Sequence, residues 1–211
     1  MLKIMNKDLR VMLASKSQIA LMLFIVPLFL LIVDANNMGW LYFLILIIVA
    51  YTLIITPFSF DVSNKTIGLI NSFPISRKEI VISKYLSVFP YMFISVIYSG
   101  IYLWVINKSG ILGVDYFNIA MIGRACLYMI FVSSLIFPAN FKFDARLAQL
   151  VNVFFYSGGI VLTFNLAEAN INSNLVFLGN LYSPLTLTVV VVIIYILSMI
   201  LSIRIYENRD L

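Results

Sequence analysis

Few side chains in this sequence could carry chemistry, and their types narrow that chemistry quickly. The 211 residues include no histidine and one cysteine. That excludes imidazole bases, histidine metal sites, intrachain disulfides and cysteine–histidine nucleophiles. Cys126 lies in an apolar run and reads as a small buried hydrophobe. The sequence holds no G-x-x-x-x-G-K-[ST] phosphate loop, so it has no such motif for hydrolysing nucleotides. What remains is one charged stretch, 58–86, where Asp61, Lys65, Arg77, Lys78, Glu79 and Lys84 interrupt long apolar runs.

Capping and breaking residues in that stretch spell two helices. Ser63 or Asp61 can cap a helix over about 64–72, with Ile67, Ile70 and Phe73 on one side and Lys65 near its start. Pro74 ends it, because the residue before a proline is pushed out of helical geometry. Ser76-Arg77-Lys78-Glu79 then reads as a capping box. The Ser76 hydroxyl accepts from the Glu79 amide and the Glu79 carboxylate reaches back, with Ile75 and Ile80 at the staple positions. The second helix should continue through Lys84 into the next apolar run. A short helix joined rigidly to a membrane span can transmit a push; the alternative is a basic loop that only sets topology.

The elements that position this stretch are membrane spans. Hydrophobic residues make up 63% of the chain and charged residues 11%. Soluble domains carry about 25% charged residues. The surface must therefore face lipid. The expected fold class is all-α integral membrane, one transmembrane domain over 1–211 with six helices. Uncharged runs place spans at about 17–33, 40–58, 85–107, 118–138, 147–167 and 184–203, each near the roughly 20 residues a bilayer requires. Pro27 should kink the first span, and Pro184 suits the first turn of the last.

Residues 1–17 have Leu2, Met5, Leu9, Met12 and Leu13 on one helical face and Lys3, Asn6, Lys7 and Arg10 on the other. That is the pattern of an interfacial helix lying on membrane lipid. A cleaved signal peptide is the competing reading, since Val33-Asp34-Ala35 resembles a cleavage site. Of the 14 basic residues, only Lys108 and Arg124 fall on the odd-numbered loops' side, so both termini should be cytoplasmic. The net charge of +5 thus sets topology, and nucleic acid is not expected as a partner. Arg124, inside the fourth span, should snorkel or pair with Asp115 or Glu168. Asn152, Ser157, Gly158 and Gly159 form a small, polar stripe suited to helix packing.

The stretch 58–86 resembles the segment between spans two and three of type 2 ATP-binding-cassette (ABC-2 type) export permeases. In that family an acidic residue ends the second span, a short coupling helix follows, and a Pro–hydrophobic–Ser-Arg-x-Glu-Ile signature opens the third. Here these are Asp61, the 63–72 helix and Ser72-Phe73-Pro74-Ile75-Ser76-Arg77-Lys78-Glu79-Ile80, with Lys84 following. Ile4-Met5-Asn6-Lys7-Asp8-Leu9-Arg10 resembles the family's connecting helix. The resemblance implies a permease with no cofactor of its own, with ATP and Mg bound by a separate nucleotide-binding ATPase subunit. It also implies a homodimer, or a heterodimer with a second permease. By the same resemblance Asp61, Asn64, Lys65, Ile67, Ile70, Phe73, Arg77 and Glu79 would couple to the ATPase. Tyr51, Thr52, Asn152, Phe155, Thr163 and Asn165 would lie along a translocation path between spans two and five.

The expected function is export of an amphipathic substrate (peptide toxin, antimicrobial peptide or lipid-like drug) across a bacterial plasma membrane. An ATP-independent carrier or channel is the alternative. It is disfavoured because no span centre holds the acid that ion coupling usually uses. A membrane enzyme is more remote, since no nucleophile–base arrangement occurs.

Overall fold

The computed structural model describes residues 2–14, 16–32, 38–63, 76–110, 116–172 and 184–208. Every regular element among them is a helix: α1 (Leu2–Ala14), α2 (Lys16–Ile32), α3 (Met38–Ser63), α4 (Arg77–Lys108), α5 (Ile119–Lys142), α6 (Ala145–Asn172) and α7 (Pro184–Glu207). Helices are the form such apolar sequence must take in lipid, because an unpaired backbone amide or carbonyl there costs several kcal/mol. Among the described residues, α3, α4, α5 and α7 are long and apolar enough to cross a membrane. In α2 the described apolar stretch is shorter, Ile19–Leu28. The coupling helix expected over 64–72, together with Pro74 and Ile75, lies outside the described residues.

Two compact units divide the chain, Met1–Met129 and Ile130–Leu211. In the first, α3 and α4 make the most extensive pairing, with α1 packed against both. The α3 core positions Leu41, Tyr42, Ile45, Leu46, Val49 and Ala50 are buried almost completely. Ser76 caps α4 as its spacing predicts. It is extended, and its Oγ accepts the Glu79 amide at 3.2 Å. At the other end, Gly110 takes a left-handed φ of 73° after the C-cap Ser109. A glycine adopts that conformation without a Cβ penalty. Asn118 opens α5, its Oδ1 accepting from the amide of Ala120 at 3.0 Å.

Pro27 has a structural consequence in α2. It lacks the amide that would bond the Leu23 carbonyl one turn back. The Tyr102 hydroxyl donates to that carbonyl at 3.3 Å, and the Tyr98 hydroxyl to the neighbouring Met22 carbonyl at 3.0 Å. Tyr102 thus replaces the missing donor, and with Tyr98 one turn away it stitches α2 to α4. Between α4 and α5, Phe117 holds a left-handed φ of 55°. That conformation is rare for an aromatic residue. Its ring occupies the space where any Cβ on Gly100 would sit.

In the second unit, the Asn140 and Asn152 side-chain amides bond each other reciprocally at 3.0 and 3.1 Å, joining α5 to α6. The Ser198 hydroxyl donates to the Ser134 carbonyl, and the Phe141 and Tyr206 rings meet 5.2 Å apart. Most of α7 remains exposed, including Leu185, Val189, Ile193 and Leu197.

Candidate functional site

Where α1, α3 and α4 meet in the first unit, four charges are packed together. Lys84 of α4 reaches Asp8 Oδ2 at 2.7 Å and Asp61 Oδ2 at 2.9 Å. Lys7 of α1 reaches Asp61 Oδ1 at 2.6 Å and Asp8 Oδ1 at 3.5 Å. Among the described residues, two ammonium groups and two carboxylates balance in charge. Asp8 and Lys84 are only 1% and 4% exposed, and Asp61 is buried as well. The Lys84 ammonium also lies 5.1 Å over the Phe58 ring. Burying an ion costs several kcal/mol, so such a group persists only when its counter-charges are close and well placed. Here each lysine faces two carboxylates and each carboxylate two lysines.

Helical register puts these residues in place. Asp8 follows Met5 by three positions and precedes Met12 by four, so it lies on the packed face of α1 and not with exposed Asn6 and Arg10. Lys84 lies four residues after buried Ile80 and three after buried Val81. It belongs to the buried face of α4, whereas Lys78 and Glu79 are exposed. Asp61 is an interior residue of α3, two positions before that helix's last residue, Ser63. The helix that Ser63 or Asp61 was expected to cap lies outside the described residues. The Asp61 carboxylate is in contact with Lys7 and Lys84.

The other coupling residues fall on either side of what is described. Asn64, Lys65, Ile67, Ile70 and Phe73 lie outside the described residues. Arg77 is half-buried and Glu79 exposed, in the first turn of α4. The segment 64–75 therefore joins two helices that one ion cluster holds together. Lys7 and Asp8 were missed as site residues, although an acid among Met5, Leu9 and Met12 is a legible oddity. So was Lys84, surrounded by Ile80, Val81, Ile82 and Tyr85.

The residues expected along a path divide between the two units. Tyr51 and Thr52 are half-buried on α3, where the Thr52 hydroxyl donates to the Val49 carbonyl at 2.8 Å. On α6, Asn152 is buried and held by Asn140, and Phe155 is half-buried with the exposed Phe154 ring edge-on at 5.6 Å. Thr163 and Asn165 lie in α6, their side chains outside the described residues. Arg124 is exposed; Asp115 and the side chain of Glu168 lie outside the description. A Cβ added at Gly158 would meet no described atom within 4 Å, so no described element approaches this glycine closely. No group of three or more metal-ligating side chains occurs among the described residues.

Among the described residues, four helices long and apolar enough to cross a membrane mark a multi-pass helical membrane protein, with a charge cluster buried where α1, α3 and α4 meet. Nothing in the arrangement described resembles a nucleophile with its base. The chain belongs to the ABC-2 family of transporters: the family described as "ABC-2 family transporter protein" matches residues 3–207, nearly the whole sequence. It is thus a permease-type membrane component of an ABC transporter. No curated protein and no solved structure compared with it matches.

Proposed function

We propose that this chain is the permease subunit of an ABC exporter, with six spans and both termini in the cytoplasm. A separate nucleotide-binding ATPase docks on residues 64–73 and drives it. The observation that carries this reading is the closure of α3 on α4 by the Asp61–Lys84 contact at 2.9 Å, with Asp8 of α1 joined to the same ammonium at 2.7 Å. The docking segment is anchored at both ends to one rigid joint, so a push on it moves three helices together. Two permeases, identical or related, complete the pathway, and Tyr51, Thr52, Asn152, Phe155, Thr163 and Asn165 contribute to its wall. Apolar, aromatic-rich helices suit an amphipathic cargo taken from the cytoplasm or inner leaflet, with a hydrophobic peptide favoured over a lipid-like drug. Asp8 and Asp61 do not support an ion-coupled carrier, because each carboxylate is neutralised by lysines.

The test is co-expression with a candidate ATP-binding-cassette subunit, one that carries a phosphate loop and an ABC signature, followed by affinity capture of the permease. Capture of the ATPase by the wild type, and its loss with Ile70→Asp or Phe73→Asp at equal permease abundance, supports the docking site. Unchanged capture by both variants defeats it.

A further inference from the structure

Toward the far end of α4 from the ion cluster, a groove of about 600 Å³ runs along the helix. Ile94, Ile97, Tyr98, Ile101 and Tyr102 line it, and it ends at Ile106. The Tyr98 and Tyr102 hydroxyls are turned away to the Met22 and Leu23 carbonyls of α2. With those hydroxyls engaged, the groove offers almost nothing polar. From position 94 to 106 the helix rises about 18 Å, close to the roughly 15 Å hydrocarbon depth of one leaflet.

The helical period extends this face beyond the groove. Positions 97, 101, 104 and 108 follow one another at spacings of three and four, so Ile97, Ile101, Trp104 and Lys108 share one side of α4. The Lys108 ammonium lies 5.3 Å over the Trp104 ring, and both side chains are exposed. Tryptophan belongs at the headgroup level of a membrane, and a lysine beside it meets phosphate there. Among the described residues of this unit, the acids Asp8, Asp61 and Glu79 all lie toward the opposite end of α4. Lys108 therefore presents positive charge at the mouth of an apolar channel one leaflet long.

We propose that this groove binds an anionic phospholipid, an acyl chain lying between Ile94 and Ile106 and the phosphate at Lys108. The lipid would lie beside the α2–α4 seam near Pro27, where the Leu23 carbonyl takes its hydrogen bond from the Tyr102 hydroxyl. Charge at one end and apolar lining along the rest favour a lipid over a second permease copy. A protein helix on this face would have to answer Lys108 with an acid of its own.

The chain's two tryptophans make the test direct. The full-length Trp40→Phe variant, leaving Trp104 as sole reporter, is reconstituted in mixed phosphatidylcholine–phosphatidylglycerol vesicles, with mid-chain bromine on one lipid at a time. Bromine quenches the indole it touches. The expected result is a preference for phosphatidylglycerol of about fivefold in relative affinity, the factor that one lysine near an anionic headgroup carries. Lys108→Gln should bring the two lipids to parity and Lys108→Arg should keep the preference. Because Lys108 is exposed, neither change threatens folding. Equal quenching by both lipids in the Trp40→Phe protein would leave only unspecific lipid contact and overturn the proposal. So would absence of quenching by either lipid, which would mean a second copy covers the face, or a preference that survives Lys108→Gln.

Discussion

Removing Lys84 should be among the costliest single changes in the first unit. Its ammonium lies 2.7 Å from Asp8 and 2.9 Å from Asp61, and the side chain is 5% exposed. At an effective dielectric of about 20, each such contact carries about 6 kcal/mol of attraction, set against several kcal/mol to desolvate each ion. The net value of the intact cluster is therefore small, but the cost of breaking it is not. Lys84→Met leaves two buried carboxylates sharing the Lys7 ammonium, and losing one partner of a buried pair costs about 3–5 kcal/mol. Pairing that change with Asp8→Asn leaves Lys7 and Asp61, already 2.6 Å apart, as a balanced pair. The double variant should thus cost less than the sum of the single ones, by about 1.5 kcal/mol or more. The assay is thermal unfolding of purified protein in detergent, followed by a thiol-reactive dye at Cys126, the sole cysteine and half-buried. For a chain of this size, Lys84→Met should lower the midpoint by about 6–20 °C. A shift under about 2 °C, or strict additivity in the double variant, would refute the account of the cluster as a closed, mutually neutralised group.

Other outcomes follow from local geometry. Gly100→Ala should displace the Phe117 ring and cost about 1–3 kcal/mol by the same dye assay, with most of the loss recovered in Gly100→Ala/Phe117→Ala. Tyr102→Phe should cost about 1 kcal/mol, because the Leu23 carbonyl then has neither a backbone amide at position 27 nor a hydroxyl to bond. Adding Pro27→Ala, which restores a backbone N–H, should return the midpoint toward wild type. Asn152→Leu should cost about 1–3 kcal/mol by removing the donor to Asn140 Oδ1, and Asn140→Leu/Asn152→Leu should cost less than that single change. If the Asn152 variant instead left the midpoint unchanged and altered only transport, Asn152 would belong to the pathway and not to packing.

The sequence alone carried the class of the molecule. Charged residues are only 11% of the chain, and its uncharged runs are of span length. Such a chain can satisfy its backbone in lipid only as helices or a closed barrel, and the long apolar runs choose helices. The Ser76 cap was equally legible, because capping depends on residues three apart and no long-range contact. The motif at Phe73-Pro74-Ile75-Ser76-Arg77 pointed to the family that residues 3–207 match. Legibility ended where partners lie far apart in sequence. Lys84 meets Asp8 across 76 positions and Asp61 across 23, and no local pattern tells a snorkelling loop lysine from a buried one. The same holds for Asn152, whose polar stripe suggested packing but whose amide partner, Asn140, lies across a turn. Asp61 shows the difference most plainly. Its place at the end of an apolar run suggested a helix cap or a docking contact, and its contacts with Lys7 and Lys84 come into view only once α1 and α4 are packed against α3. Charge in a membrane domain is settled by which counter-charges the packed helices bring into contact, and that distance is a property of the fold.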